Sequence, residues 1–226
     1  MYSFAQREDT TVVDEPLYAH YLRHQQTDAA HPGQDEIMAS QSSEGATVVR
    51  DVLLGKYATP LVVFKQMTHH LIELDRGFLS RMEHILLIRD PRAIITSYAK
   101  VIPNPTMDDI GVRMQYELCQ ELEASGRLTA VLDTEQLLRN PRQVLRVLCE
   151  EKLGVPFTEA MLHWPAGPRV EDGVWAKYWY HSVHLSTGFQ SWQPKTYALS
   201  PPLTQLAQAC EPYYDYLFER AIRAEG

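Results

Sequence analysis

No stretch of this chain approaches the roughly 18 consecutive apolar residues that a membrane-spanning helix needs. The first residues, Met1-Tyr2-Ser3-Phe4-Ala5-Gln6-Arg7-Glu8-Asp9, hold no apolar run of the kind a secretory signal requires. Cysteine is scarce: Cys119, Cys149 and Cys210 are far apart and in no metal-like spacing. That excludes a disulfide scaffold and fits reduced, buried thiols in a cytoplasmic protein. Positive charge is in deficit, with 21 Lys and Arg against 29 Asp and Glu and a net charge of −8. Such a balance argues against nucleic acid or an anionic membrane as the main partner, while leaving room for one local anion pocket. Neither Walker A nor Gly-x-Gly-x-x-Gly occurs, so the two common glycine-rich phosphate loops are absent. There is no internal repeat, no low-complexity tract and no strand end rich enough in carboxylates to hold magnesium or zinc.

What is present is a chain of 226 residues, 45% hydrophobic, with a mean hydropathy of −0.30. That suits one sizeable α/β domain or two small ones. Apolar runs at 10–15, 61–65, 84–88 and 128–132 predict strands. Helical periodicity is expected over 16–25, 44–54, 71–82 (broken near Arg76-Gly77), 91–101, 107–125, 141–152 and 201–224, the last interrupted at Pro212. Residues 1–7 read as the tail of a helix, 26–36 as a polar loop, and 163–197 as irregular and strongly aromatic. All four tryptophans (Trp164, Trp175, Trp179, Trp192) fall in that last segment. Strands alternating with helices imply a mainly parallel sheet covered on both faces.

The most informative stretch is His84-Ile85-Leu86-Leu87-Ile88-Arg89-Asp90-Pro91-Arg92-Ala93-Ile94-Ile95-Thr96-Ser97-Tyr98. A buried strand turns sharply into a helix, with Asp90 suited to the cap and Pro91 to the first helical position. Arg89 places a permanent, bidentate cation at the strand end, and Ser97 places a hydroxyl on the helix that follows. A helix N-terminus adds backbone donors, so the corner suits a phosphate. The plainer alternative is a salt-bridged arginine and a serine making a local bond.

Arg89 to Tyr98 resembles the 3′-phosphate-binding segment of sulfotransferases that use 3′-phosphoadenosine 5′-phosphosulfate (PAPS). Asp133-Thr134-Glu135-Gln136-Leu137-Leu138-Arg139-Asn140-Pro141 resembles the family's Tyr-Glu-Asp-Leu segment before Asn-Pro. Phe64-Lys65-Gln66-Met67 stands where the family has Lys-Thr-His. The likeness covers roughly residues 60 to 160 in the family's order. It implies a P-loop-NTPase-like three-layer sandwich with a mainly parallel central sheet, forming a single domain over 1–226 with 163–197 as an aromatic cap. It also implies that Arg89 and Ser97 hold the 3′-phosphate and that Lys65 steadies the transferred sulfonate. Thr134 takes the place of the tyrosine that touches adenine, and Lys177 and Arg169 are cap cations near the 3′-phosphate. Met67 occupies the position of the usual catalytic histidine. The family's first strand and its 5′-phosphosulfate loop should precede the first helix, yet the chain opens in what reads as the middle of that helix. The sandwich is therefore expected without them. Either Met1 is an internal methionine taken as a start, the favoured explanation, or the chain is a remnant unable to hold the sulfonate.

Sulfuryl transfer resembles phosphoryl transfer, in which positioning and charge stabilisation dominate. No metal is needed for it. Glu15 is the first candidate base, ending a strand beside Asp14, where paired carboxylates can raise one pKa. Its plain alternative is an N-cap pair ahead of Pro16. His70, and behind it His69, competes for the role. His20 with His24, and His181 with His184, suit a surface or an acceptor pocket better than zinc. The cap aromatics suit a small-molecule acceptor of apolar or aromatic character, and serve equally well as packing. The reading is sulfonate transfer from PAPS to a hydroxyl or amine, with a homo-oligomer compatible. The alternatives are a non-catalytic nucleotide-binding or interaction module on the same fold and a P-loop kinase relative.

Overall fold

Apolar strands ending in charged residues organise the computed structural model, which describes residues 1–25, 31–100 and 104–224. It is a mixed α/β structure whose chain divides into two compact units. The first comprises Met1–Phe78 with Thr158–Phe189, the second Leu79–Phe157 with Gln190–Gly226.

In the first unit, β1 (Thr10–Asp14) pairs in parallel with β2 (Leu61–Lys65), Val12 opposite Val63 and Asp14 opposite Lys65. A parallel pair requires a crossover. Here it runs through α1 (Tyr18–His24), α2 (Gln34–Ser40) and α3 (Gly45–Val48), which widens into a π-helical turn over Val49–Leu53. Tyr18, Ala19 and Leu22 of α1 pack with Ile37 of α2 and with Trp175, all buried. Removing an indole of this kind from water is worth about 5 kcal/mol at 25 cal/mol per Å². That anchor holds the aromatic segment onto the unit. The segment carries two single-turn helices, α9 (Ala176–Trp179) and α10 (His181–His184).

In the second unit, β3 (His84–Ile88) pairs in parallel with β4 (Leu128–Asp133). Between them run α4 (Pro91–Tyr98), α5 (Met107–Ile110) and α6 (Val112–Ala124). After β4 come α7 (Thr134–Arg139) and α8 (Pro141–Arg146), the latter continuing as a π-helical segment over Val147–Leu153. The final helix, α11 (Pro201–Glu219), packs against α6 and α4.

Several expectations need correction. The helix expected over 71–82 is replaced by 3₁₀ turns at Thr68–Leu71 and Arg76–Arg81. Glu73 takes a left-handed φ of 47°, and the Asp75 carboxylate accepts the Gly77 N–H at 2.8 Å, a local turn that competes with helix. The helix expected over 107–125 is two helices, because Gly111 at φ 75° ends α5 and starts α6. Conversely, α11 runs through Pro212 without interruption. The loop expected over 26–36 gives way to α2 at Gln34, with 26–30 outside the described residues. The helix expected to reach residue 101 ends at Tyr98, with 101–103 outside them too. No described helix is long and apolar enough to cross a membrane.

Candidate functional site

The first unit gathers a polar cluster at the C-terminal ends of β1 and β2. Register places Asp14 opposite Lys65, and the Glu15 N–H donates to the Lys65 carbonyl at 2.8 Å. Glu15 has a φ of 36°, a left-handed conformation that costs a residue with a Cβ about 1–2 kcal/mol. Such strain concentrates at functional sites. The turn is held by Gln41, whose amide donates to the Glu15 carbonyl at 3.0 Å and accepts the Ala19 N–H at 3.1 Å. Asp14 and Glu15 are both buried.

Lys65 Nζ donates to Glu15 Oε1 and to the phenol oxygen of Tyr180 at 2.9 Å. Asp14 Oδ1 lies at 3.7 Å. The Tyr180 hydroxyl donates to the Asp14 carboxylate, 2.9 Å from each oxygen, and the Gly173 N–H adds a bond to Oδ2 at 3.1 Å. Burial lowers the pKa of the Lys65 ammonium, with the charge of Asp14 acting the other way. Burial raises that of Asp14, opposed by Lys65 and by its hydrogen bonds. Burial, and then Asp14, also hold the Tyr180 phenol protonated.

His70 is 1% exposed and stacks with both Tyr18 and Tyr21, each ring centroid 4.9 Å away. Its Nε2 lies 3.8 Å from Glu15 Oε2, and its buried Nδ1 has no hydrogen-bond partner. Burial holds the imidazole well below the usual histidine range, and the charges of His69 and Lys65 add to the effect. His70 is therefore a neutral ring at pH 7, one step behind Glu15. Three candidates from the sequence (Glu15, Lys65, His70) are thus brought together. Tyr180 and the acceptor role of Asp14 were not expected: Tyr180 sits in an aromatic run whose spacing singles out no member.

Other candidates in this unit are committed elsewhere. Lys177 forms an exposed ion pair with Glu36 on α2 at 2.6 Å, and Arg169 pairs with Glu171 at 3.1 Å. The His20 and His24 rings are adjacent, but His20 Nε2–H donates to the Ile72 carbonyl at 2.8 Å and His24 Nδ1 meets Glu73 at 2.9 Å. His184 meets Asp172 at 3.0 Å. Among the described residues, no group of three His, Cys, Asp or Glu side chains is placed to hold a metal ion. Among the described residues, the aromatic segment also carries most of the exposed large apolar side chains: Val170, Val174, Tyr178, Trp179, Val183 and Leu185.

The second unit holds the strand-to-helix corner. The Asp90 carboxylate caps α4 by accepting the Arg92 N–H at 2.8 Å, and it pairs with the Arg92 guanidinium at 2.7 Å. Arg89, at the end of β3, is exposed and has no side-chain partner among the described residues. Ser97 is likewise exposed on α4, its hydroxyl without a described partner. Thr134 opens α7, and its hydroxyl donates to the Ile88 carbonyl at 2.8 Å. It thereby ties the start of α7 to the residue preceding Arg89. Next to it Asp133, 1% exposed, caps α7 and accepts the Tyr214 hydroxyl at 2.9 Å.

The mixed α/β character of the chain agrees with what comparison finds. The sulfotransferase domain family matches residues 1–221, and this chain belongs to it. The chain is similar to branched-chain-amino-acid aminotransferase-like protein 1 of Arabidopsis thaliana, 41% identical over 96% of this chain and 39% of that protein. It is also similar to branched-chain-amino-acid aminotransferase-like protein 2 of the same plant, 38% identical over 96% of this chain and 38% of that protein. The chain thus spans about two fifths of the length of these curated relatives. No solved structure matches it.

Proposed function

We propose that this chain transfers a sulfonate group from PAPS to a hydroxyl or amine of a small-molecule acceptor. Arg89 and Ser97 hold the 3′-phosphate, and Thr134 lies beside the adenine. Lys65 steadies the transferred group as negative charge moves onto the leaving phosphate. Glu15 takes the acceptor's proton, with the neutral His70 ring behind it. Lys177 belongs to this reading only if the nucleotide displaces Glu36. The P-loop-NTPase-like layering is the architecture that goes with it. The exposed apolar side chains of 170–185 favour an acceptor with apolar or aromatic surface.

One observation carries the proposal. Arg89, at the C-terminal end of a parallel strand and just before a capped helix, carries a charge that no described carboxylate answers, while Arg92 three residues on is neutralised by Asp90. A guanidinium left open at that position suits a dianionic phosphate.

The aminotransferase-like names of the plant relatives are not carried over. They describe proteins more than twice this chain's length, and the sulfotransferase domain accounts for the shared part.

A second reading is nucleotide binding without turnover. It is favoured by the Lys65 ammonium being already engaged by Glu15 and Tyr180. Titration with adenosine 3′,5′-bisphosphate, PAPS and ATP in chelator and in magnesium tests the class. Binding of the first two without magnesium, and in preference to ATP, is expected; a magnesium-dependent preference for ATP defeats it. Release of adenosine 3′,5′-bisphosphate from PAPS over a panel of phenols and amines then separates enzyme from binding module.

A further inference from the structure

We propose that Tyr180 is a positioning residue for Lys65: its hydroxyl, oriented by Asp14, keeps the Lys65 ammonium from moving onto the buried Asp14 carboxylate and leaves one of its N–H groups to meet an anionic oxygen. The inference rests on the sulfonate role given to Lys65 above, and adds a residue to it.

An ammonium has three donors. Glu15 Oε1 takes one and the Tyr180 oxygen, at 2.9 Å, takes a second. Asp14 Oδ1 at 3.7 Å is too far for a hydrogen bond. The third donor has no acceptor among the described residues, and the Lys65 side chain remains 31% exposed. The direction of the phenol is not free. Its single proton goes to Asp14, which lies 2.9 Å away through both oxygens, so only its lone pairs are left to face Lys65. Asp14 cannot rotate away, because the Gly173 N–H holds Oδ2 at 3.1 Å. Gly173 and Tyr180 flank the buried Trp175, so the same anchor that seats the aromatic segment sets the height of the phenol. Without the hydroxyl, Asp14 loses a donor in a buried setting, and the flexible lysine, 3.7 Å away, can replace it. The ammonium then moves the short distance to Asp14, which takes the N–H released from the phenol, and the third N–H is carried inward with it.

Tyr180→Phe isolates the hydroxyl, since the ring, whose centroid lies 5.3 Å from Nζ, stays in place. Tyr178→Phe, an exposed phenol from the same helical turn, is the control, and circular dichroism checks folding. The first readout needs no nucleotide: labelling of lysines by an amine-reactive anhydride, followed by peptide mass spectrometry. Relative to Lys195, Lys65 should label about three- to tenfold less in Tyr180→Phe than in the wild type and in Tyr178→Phe, the scale of one lost hydrogen bond. Unchanged labelling overturns the inference. The second readout is the ratio of affinities for PAPS and adenosine 3′,5′-bisphosphate, which a general loss of stability does not move. A ratio lowered three- to tenfold by Tyr180→Phe, and at least as far by Lys65→Met, is expected. A ratio lowered by Lys65→Met alone also overturns the inference. Reduced labelling in a protein that binds neither nucleotide leaves Tyr180 in its place and removes the donor reading instead.

Discussion

Asp14 and Lys65 lie opposite each other in register at the C-terminal ends of β1 and β2, and the chain beyond Asp14 folds back so that the Glu15 N–H donates to the Lys65 carbonyl at 2.8 Å. Two carboxylates and one ammonium are thereby fixed at one edge of a parallel pair, where ligands of open α/β sheets bind. The backbone conformation that achieves this is a costly one, which makes its purpose measurable.

Glu15 has a left-handed φ of 36°. Glu15→Ala and Glu15→Gly both remove the carboxylate, but only glycine relieves the backbone. The glycine variant should be about 1 kcal/mol the more stable in urea unfolding, the reverse of the usual order of these residues. An alanine variant equal to or above the glycine variant contradicts the strain.

Acid should weaken the fold through His70. Its folded pKa lies well below 6.5, so between those values the unfolded chain binds more protons and stability rises with pH. The stability linked to His70 is complete above 6.5 and is lost as pH falls toward the folded pKa, by up to about 1.4 kcal/mol per pH unit. His69, Lys65, His31 and His20 favour the neutral ring, Glu15 at 3.8 Å opposes them, and His31, itself lowered by burial, adds the same sign. His70→Phe keeps the stack with Tyr18 and Tyr21 and should flatten the fall in unfolding free energy below pH 6.5. An unaltered slope places the linkage elsewhere.

Gly173 leaves no room for a side chain. A Cβ there would stand 2.1 Å from the Trp175 ring. Gly173→Ala should cost about 1–3 kcal/mol through forced repacking, shift tryptophan emission to the red, and loosen the bond from the Gly173 N–H to Asp14. A variant with wild-type stability and emission contradicts the packing.

Strands and site differed in how far the sequence revealed them. The strands at 10–14, 61–65, 84–88 and 128–133 were legible because apolar runs bounded by turn residues have few other uses. Their parallel pairing followed from the helices between them, and the structure shows it as two pairs, one per unit. The 3₁₀ turns between Thr68 and Arg81 were not legible, because a left-handed Glu73 and a carboxylate-capped Gly77 outweigh the periodicity around them. Gly111 broke α5 from α6 for a similar reason: the Thr106 capping box starts a four-residue helix that the left-handed Gly111 ends, where the apolar spacing reads straight through. Pro212 erred the other way, since packing of α11 against α6 and α4 holds a helix that propensity would interrupt. Glu15, Lys65 and His70, which the structure brings together, were legible as candidates because strand ends, and the turns that follow them, collect chemistry. Tyr180 was not, because a partner 115 residues beyond Lys65 leaves no trace in local spacing.

Calorimetry with adenosine 3′,5′-bisphosphate on the wild-type chain and on Arg89→Ala tests the central claim most directly. The account predicts saturable binding that weakens about 10- to 100-fold in the variant, the scale of a charge-assisted contact worth about 1.5–3 kcal/mol, with a smaller loss for Ser97→Ala. Equal affinity in wild type and Arg89→Ala would remove the phosphate from the β3–α4 corner, and with it the donor assignment.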